Sequence, residues 1–466
     1  MFNDNDIYMT PDQFKKTMDA PSVLLMCRND PVIRFHQSKG ELEVLNTKLV
    51  PYALRGQIIN IPDSDDPNIT VRMTEHNNNI FKSFIARRVL SLTRSNAKKL
   101  MNAFHFSQND DVDTKYKIAL TCHGVSMSDS YWLKTEDNET SWGETNIRKV
   151  SLSKIVASIA LDGKSLTISG DPAPKTPEFL TKGIFAKAWT RNEDGFCYLK
   201  KRGLFGRDLE PKSEVEASNV MNHFNVNHVN YKLIHDKYGY MSICRCAATD
   251  NTGMVDASEL QTRFNRYEHS QDNTFSRYII KHDKINFYKL LIMDYLCSNS
   301  DRHPDNWGFF QNYNTGKLTA LYPIMDLNQC FDDTVMSLSD GGECYPLYDM
   351  GLSQKEAAHM AIKEIGIPII SDVTKDDFFY EEHYDSYRNR FNVLKSLETK
   401  KTIHIPSPAS SQTDTKHDTF EKTAYSTGRI LNDSTNDKFS KDIQTVLTKS
   451  QEMLDDSRKD NFPEYT

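Results

Sequence analysis

The sequence predicts an α+β fold in which a strand-rich segment gives way to a helical one, with a mixed α/β region before them and a polar tail after. Three observations carry this. Strand–turn–strand patterns gather between Gly195 and Cys246, apolar stripes at helical spacing follow to about Leu397, and beyond Lys400 the chain turns rich in Ser, Thr and Asp. The expected divisions are 1–150, 151–250, 251–400 and 401–466.

Composition supports a packed protein. The 466 residues are 38% hydrophobic and 11% aromatic, enough for cores in two or three domains, which excludes wholesale disorder. A net charge of −7 speaks against a nucleic-acid binder that works by bulk charge. The eight cysteines form no C-x-x-C pair and fit reduced thiols of a cytoplasmic protein; Cys244 and Cys246 read as alternating strand positions in preference to a metal pair. The opening MFNDNDIYMTPDQF lacks the pattern of a secretory signal, and no apolar run is long enough to cross a bilayer, so a soluble, intracellular protein is expected.

In chain order, Ser22 to Met26 and Val32 to Phe35 read as strands, and Asn79 to Leu92 as a helix that Ser95 to Phe104 continues. Ser151 to Leu161 and Lys164 to Ser169 read as two strands joined at Asp162-Gly163, a hairpin dipeptide. The Pro- and Gly-rich stretch from Gly170 to Gly183 is loop. GFCYLKK, Gly195 to Lys201, is a strand after a turn at Glu193-Asp194. In the helix Ser213 to Phe224, Ser213 stands three residues before Glu216, a capping-box spacing. Val229 to His235 and Tyr240 to Cys246 form a hairpin through Asp236 to Gly239. Ile285, Leu290, Met293 and Leu296 make a helical stripe that stops at the polar SNSDRHPDN, where Pro304 forbids continuation. WGFFQN and KLTALYPIM are strands around Asn314-Thr315-Gly316, and Asp326 closes the second. The tail reads as disordered except for a short helix near Ile443 to Met453.

Phosphoryl transfer needs a carboxylate to orient or deprotonate the acceptor, oxygen donors to hold magnesium, and a lysine on the phosphates. Asp301 and Asn306 stand five apart in one loop, the spacing of a kinase catalytic loop, and Asp326 lies past the hairpin where a second magnesium ligand belongs. Lys200 and Lys201 are the phosphate-binding candidates. They point to opposite faces, and Lys200 is preferred as the more interior to its strand. Glu216 is the expected partner of that lysine, with Glu214 in reserve. The sequence has no G-x-G-x-x-G and no G-x-x-x-x-G-K-[ST], so the phosphate cradle is assigned to backbone amides of Thr176 to Gly183, Thr181 and Gly183 among them. CRCAATD, with Cys246, takes the place of a hinge presenting backbone groups to adenine. The cofactors expected are ATP and Mg2+, in a two-lobed, protein-kinase-like core.

These motifs resemble the HipA-like atypical kinases, a superfamily related to the phosphatidylinositol 3- and 4-kinases. SDRHPDNWGF, PIMDLNQCFDD and KAWTRNEDGFCYLKK carry the likeness, with HGVSMSDSYWLK upstream, over about His123 to Asp333. The resemblance implies a protein Ser/Thr kinase, in some members a growth-arresting toxin with an antitoxin or regulator as partner. It implies Asp301 as base, Asn306 and Asp326 as magnesium ligands, and Arg302 and His303 as loop-shaping residues. Two departures are visible: Leu327-Asn328 follows the metal aspartate where Phe-Gly is common, and the first hundred residues show no match to the usual amino-terminal domain. A lipid kinase, suggested by the DRHxxN form, and a binding-only pseudokinase are the competing readings.

Overall fold

An apolar segment of alternating pattern must hide one face, and the first sheet shows how this chain does so. The computed structural model describes residues 8–9, 11–59, 67–165, 173–174, 176–267 and 274–399. Strands β1 (Ser22–Cys27), β2 (Asp30–His36) and β3 (Glu41–Val44) run antiparallel, and β4 (Tyr131–Thr135) pairs with β1, giving the order β3-β2-β1-β4. Helices α1 (Pro67–Ala86), α2 (Ala97–Ala103) and α3 (Val112–Thr121) follow β3 in the chain. Phe35 of β2 meets Phe81 of α1 at 4.7 Å and Tyr116 of α3 edge-on at 6.1 Å, which fixes both helices on the sheet. Helix α1 ends at Ala86, and the two helical stretches expected as one are separate.

The expected hairpin at Asp162-Gly163 is instead a helix, α4 (Lys154–Asp162). Ser153 accepts the Val156 amide at its start and Gly163, at φ 65°, closes its end. Val156, Ile159 and Ala160, at helical spacing, are buried together with Leu161. A short apolar run fits either period; the Ser cap and the Gly stop decide it. Lys164 and Ser165 belong to no strand, and 166–169 lie outside the described residues.

The second sheet holds β5 (Lys187–Arg191), β6 (Cys197–Arg202), β7 (Tyr231–Asp236) and β8 (Gly239–Arg245) in the order β5-β6-β8-β7. Helix α5 (Leu209–Asn222) links β6 to β7 and lies against the sheet. It begins four residues before Ser213, so that serine sits inside the helix and makes no capping box. A third sheet, β9-β10-β11 (Thr252–Asp256, Gly308–Asn312, Leu318–Leu321), contains a strand missed in the sequence, β9. Its turn-forming start, Asp250-Asn251-Thr252-Gly253, hides the short apolar pattern. Helices α6 (Ala257–Tyr267), α7 (Phe275–Leu296), α8 (Gln354–Ile365) and α9 (Glu381–Thr399) complete the fold. Helix α7 kinks at Asp283; Leu290, Met293 and Leu296 are fully buried, but Ile285, just past the kink, faces solvent.

Contacts join Met1–Lys400 into one unit, and the tail, with its expected helix, lies outside the described residues. One apolar core runs from β1, β2 and α1–α4 into Ala188 and Met241 of the second sheet. Another gathers α5, α7, α8 and α9. A third packs Trp132, Trp142 and Met26 against Cys197. Among the described residues no helix is long and apolar enough to cross a membrane.

At the junction of these layers Arg88 forms a bidentate pair with Asp129, at 2.7 and 3.0 Å, both side chains almost buried. Removing one partner strands the other charge. Arg88→Met is therefore expected to destabilise the protein by about 3 kcal/mol, seen as a lower urea midpoint at unchanged slope.

Candidate functional site

The site is assembled by one buried cation. Arg302, just after helix α7, is 1% exposed. Its guanidinium donates to both carboxylate oxygens of Asp294 at 3.0–3.1 Å, and to the carbonyls of Asn306 (2.8 Å) and Met325 (2.7 Å). Helix, polar loop and the chain leading to Asp326 are thus clamped to one planar fork. The loop closes on itself as well: the Asn306 side-chain amide donates to the Asp301 carbonyl at 2.9 Å and its carboxylate at 3.3 Å. That turns the Asn306 oxygen away from Asp301. His303 Nε2 stands 3.8 Å from Asp301.

Strand β6 delivers the lysine. Its register pairs Lys201 with Lys187 and Ser242, and Lys200 with Ala188 and Ile243 on the other face. Lys201, not the preferred Lys200, meets the acidic groups: its amine touches Glu214 and lies 2.9 Å from Asp326. Glu214 also accepts from Ser242 at 2.5 Å and from the Leu327 amide at 3.3 Å. Glu216, the expected partner, faces away from Lys201. Its carboxylate is taken up by the amides of Phe379 and Tyr380 and by His383. The helix spacing explains the exchange, since residues two apart point to nearly opposite sides.

The electrostatics follow the geometry. Burial alone would lower the Lys201 amine, but the Asp326 and Glu214 carboxylates outweigh it and hold it well above the usual lysine range. Burial would raise Asp326, yet Lys201 and Lys187 hold it far below the usual carboxylate range. Asp301 is raised, chiefly by burial and further by the charge of Asp326, with His303 opposing. Asp301, Asn306, Asp326 and Lys201 therefore share one electrostatic neighbourhood.

Lys187 is the residue sequence reasoning missed. It is 5% exposed and its pKa is pushed down to about 8, mainly by burial and the nearby Lys201, against the pull of Asp326. Its amine lies under the Thr181–Gly183 bend: a Cβ on Gly183, at φ 97°, would collide with it. The pairing of Lys187 with Lys201 across two strands was the available signal, and it needs the register. Lys182, in the same bend, reaches across to Asp256 at 2.8 Å and lies 4.0 Å from Asp305 of the loop. Thr181 is engaged inside the bend: its hydroxyl donates to the Pro177 carbonyl and accepts from Trp189. Cys246 lines a cavity of about 520 Å³ at the end of the second sheet, with Cys197, His228, Val229, Ala248 and Pro323. Its backbone amide donates to the Cys197 carbonyl at 2.9 Å, and burial pushes its thiol up to about 11.

The donors suit a hard cation. Among the described residues no group of three or more His, Cys, Asp or Glu is arranged to hold a metal. Asp326 and the Asn306 oxygen offer two oxygen ligands, which is what magnesium asks of a protein when water and phosphate complete its shell. The Gly183 bend, whose lack of a side chain leaves room for the Lys187 amine beneath it, and Lys201 beside Lys187 on the next strand fit a polyphosphate.

No family model matches the chain, and no curated protein matches it. Among solved structures it is similar to the Helicobacter pylori proinflammatory kinase CtkA, at 18% identity over 46% of this chain and 93% of that one, with a TM-score of 0.31. It is also similar to a chain of the Shewanella oneidensis MR-1 HipA, HipB and operator DNA complex, a toxin–antitoxin system, at 12% identity over 82% of this chain and 100% of that one, with a TM-score of 0.44. Likenesses this distant carry no weight for the activity, which rests on the geometry above.

The buried Lys187 gives a stability signature. In the unfolded chain it keeps the ordinary lysine value of 10.5 and in the fold about 8, so between those pH values the unfolded chain binds the extra proton and stability rises with pH. Relative to Lys187→Met, the wild type should gain roughly 1.4 kcal/mol per pH unit across that window, measured by urea unfolding at pH 8, 9 and 10.

Proposed function

We propose that the chain is an ATP- and magnesium-dependent protein Ser/Thr kinase of the HipA-like kind. The second sheet with α5 is one lobe of its core, and α6–α9 with the third sheet are the other. The observation that carries this reading is that Lys201, held between Glu214 and Asp326, meets the loop bearing Asp301 and Asn306 through the single clamp of Arg302. ATP bound with magnesium would supply the transferable phosphoryl group and the charge that neutralises it.

Each residue then has a task. Asp326 and Asn306 offer oxygen to the metal, and Lys201 and Lys187 meet phosphate oxygens from the strand side. The Thr181–Gly183 bend covers the phosphates with backbone amides. The cavity beside Cys246 takes the base. Asp301 is part exposed and raised by burial, so it is placed to orient an incoming hydroxyl and accept its proton. The chain's net charge of −7 favours a protein hydroxyl over the headgroup of an anionic lipid.

Labelled ATP with magnesium, a generic protein and phosphoinositide vesicles tests the reading. Label is expected on protein. Asp301→Ala and Asp326→Ala should each lower transfer by roughly a thousandfold, and Asp326→Ala should also weaken Mg-ATP binding. Lys201→Ala should cost about a hundredfold or more, and Lys200→Ala little. Label on lipid would move the acceptor class. Absence of transfer from a folded wild type that binds Mg-ATP would leave a binding module.

A further inference from the structure

We propose that Glu216 and His383 are positioning residues that bolt α5 to α9 and hold Glu214 and the segment after Asp326 in register. This rests on the kinase reading above. Glu216 is fully buried on the side of α5 opposite Glu214. Its carboxylate accepts from the Phe379 amide and, at 3.0 Å, the Tyr380 amide, the two residues before α9 begins at Glu381. The other oxygen lies 2.5 Å from His383 Nδ1, on the first turn of α9. A buried carboxylate is tolerated only with such partners, and this one also meets the positive end of α9.

His383 has a second contact. Its ring stacks on Phe331 at 5.0 Å and 15°, and Phe378 meets the same Phe331 edge-on. Phe331 lies five residues after Asp326 and is tied to the end of α7 by its backbone amide, which donates a hydrogen bond to the Cys297 carbonyl at 2.8 Å. One imidazole therefore touches both moving parts a kinase must align: the helix carrying the lysine's glutamate, and the strand exit carrying the metal aspartate. On the α5 side the link is two residues of one helix, from Glu216 to Glu214. On the other it is the short segment 327–331, whose Leu327 amide already donates to Glu214. Fixing register is the best-attested use of a buried polar pair, since replacing both partners by apolar groups often costs no stability.

The test is a double-mutant cycle with hydrogen exchange alongside. Glu216→Leu removes the bolt, His383→Phe keeps the ring but loses the donor, and His383→Asn keeps a donor but loses the ring. In folded protein, Glu216→Leu should lower kcat roughly thirtyfold with little change in KM for ATP. Glu216→Gln, which still accepts the two amides, should recover most of that loss. In a Glu214→Gln background the same Glu216→Leu change should cost less than twofold more, because it acts through Glu214; equal losses in both backgrounds would overturn the proposal. Amide exchange should quicken in both α5 and 327–331 for Glu216→Leu and His383→Phe. Exchange that changes in α5 alone overturns it whether or not the wild type transfers phosphate. If Glu216→Leu fails to fold, His383→Phe carries the cycle. A wild type without transfer, but with coupled exchange, would refute the kinase reading and leave the bolt standing.

Discussion

The pair of Arg302 and Asp294 is the constraint on which the site depends. Taking a guanidinium out of water is costly unless each donor finds an acceptor, and here Asp294 and two backbone carbonyls meet that need from three stretches of chain. The fork is planar, so it fixes orientation as well as distance. Asn306 and the approach to Asp326 therefore keep their relative places through protein contacts alone. The clamp is set by the sequence 294–325 and does not wait for a ligand.

From that fixed base, charge organises the rest. Asp326 sits in the left-handed backbone region at φ 54°, with its amide donating to the Tyr231 hydroxyl at 3.1 Å. Two lysines face it from adjacent strands, and Lys201 lies over the Tyr231 ring. The pair of lysines would repel if Asp326 and Glu214 were absent, so cations and carboxylates stabilise one another. A strained backbone at a charged cluster is where function is expected to reside.

How much of this the sequence shows depends on how local the signal is. The loop Asp301–Asn306, the hairpin after it and Asp326 are legible because helix stop, turn chemistry and carboxylate all fall between Leu296 and Asp326. The alternation of Lys200 and Lys201 is legible too, but not which faces the acidic groups. The sheet is packed on both sides: Ala188 and Met241, beside β6 on the Lys200 face, join the first core, while Leu199 on the Lys201 face packs against the second, so the apolar pattern does not tell inside from outside. Glu214 and Glu216 are both wholly buried, and only their partners separate them. The helix carrying them starts earlier than its best-looking cap, because Pro211 and Glu210 open it. The strand–helix error at 151–162 has the same root: a short apolar run is ambiguous until its ends are read.

The apolar continuity of the first 150 residues with the second sheet has a practical consequence. Trp132, Trp142 and Met26 pack on Cys197, and Phe179 and Leu180 share a core with β1, β2 and α4. A fragment beginning near residue 151 would expose that surface to water, and an affinity label or fusion partner inserted there would split a shared core. Engineering of this chain is therefore better done at the exposed turn Asn192–Asp194 than at Asn312–Gly316, where Tyr313 is buried and Arg28 and Arg55 hold the loop against the first 150 residues.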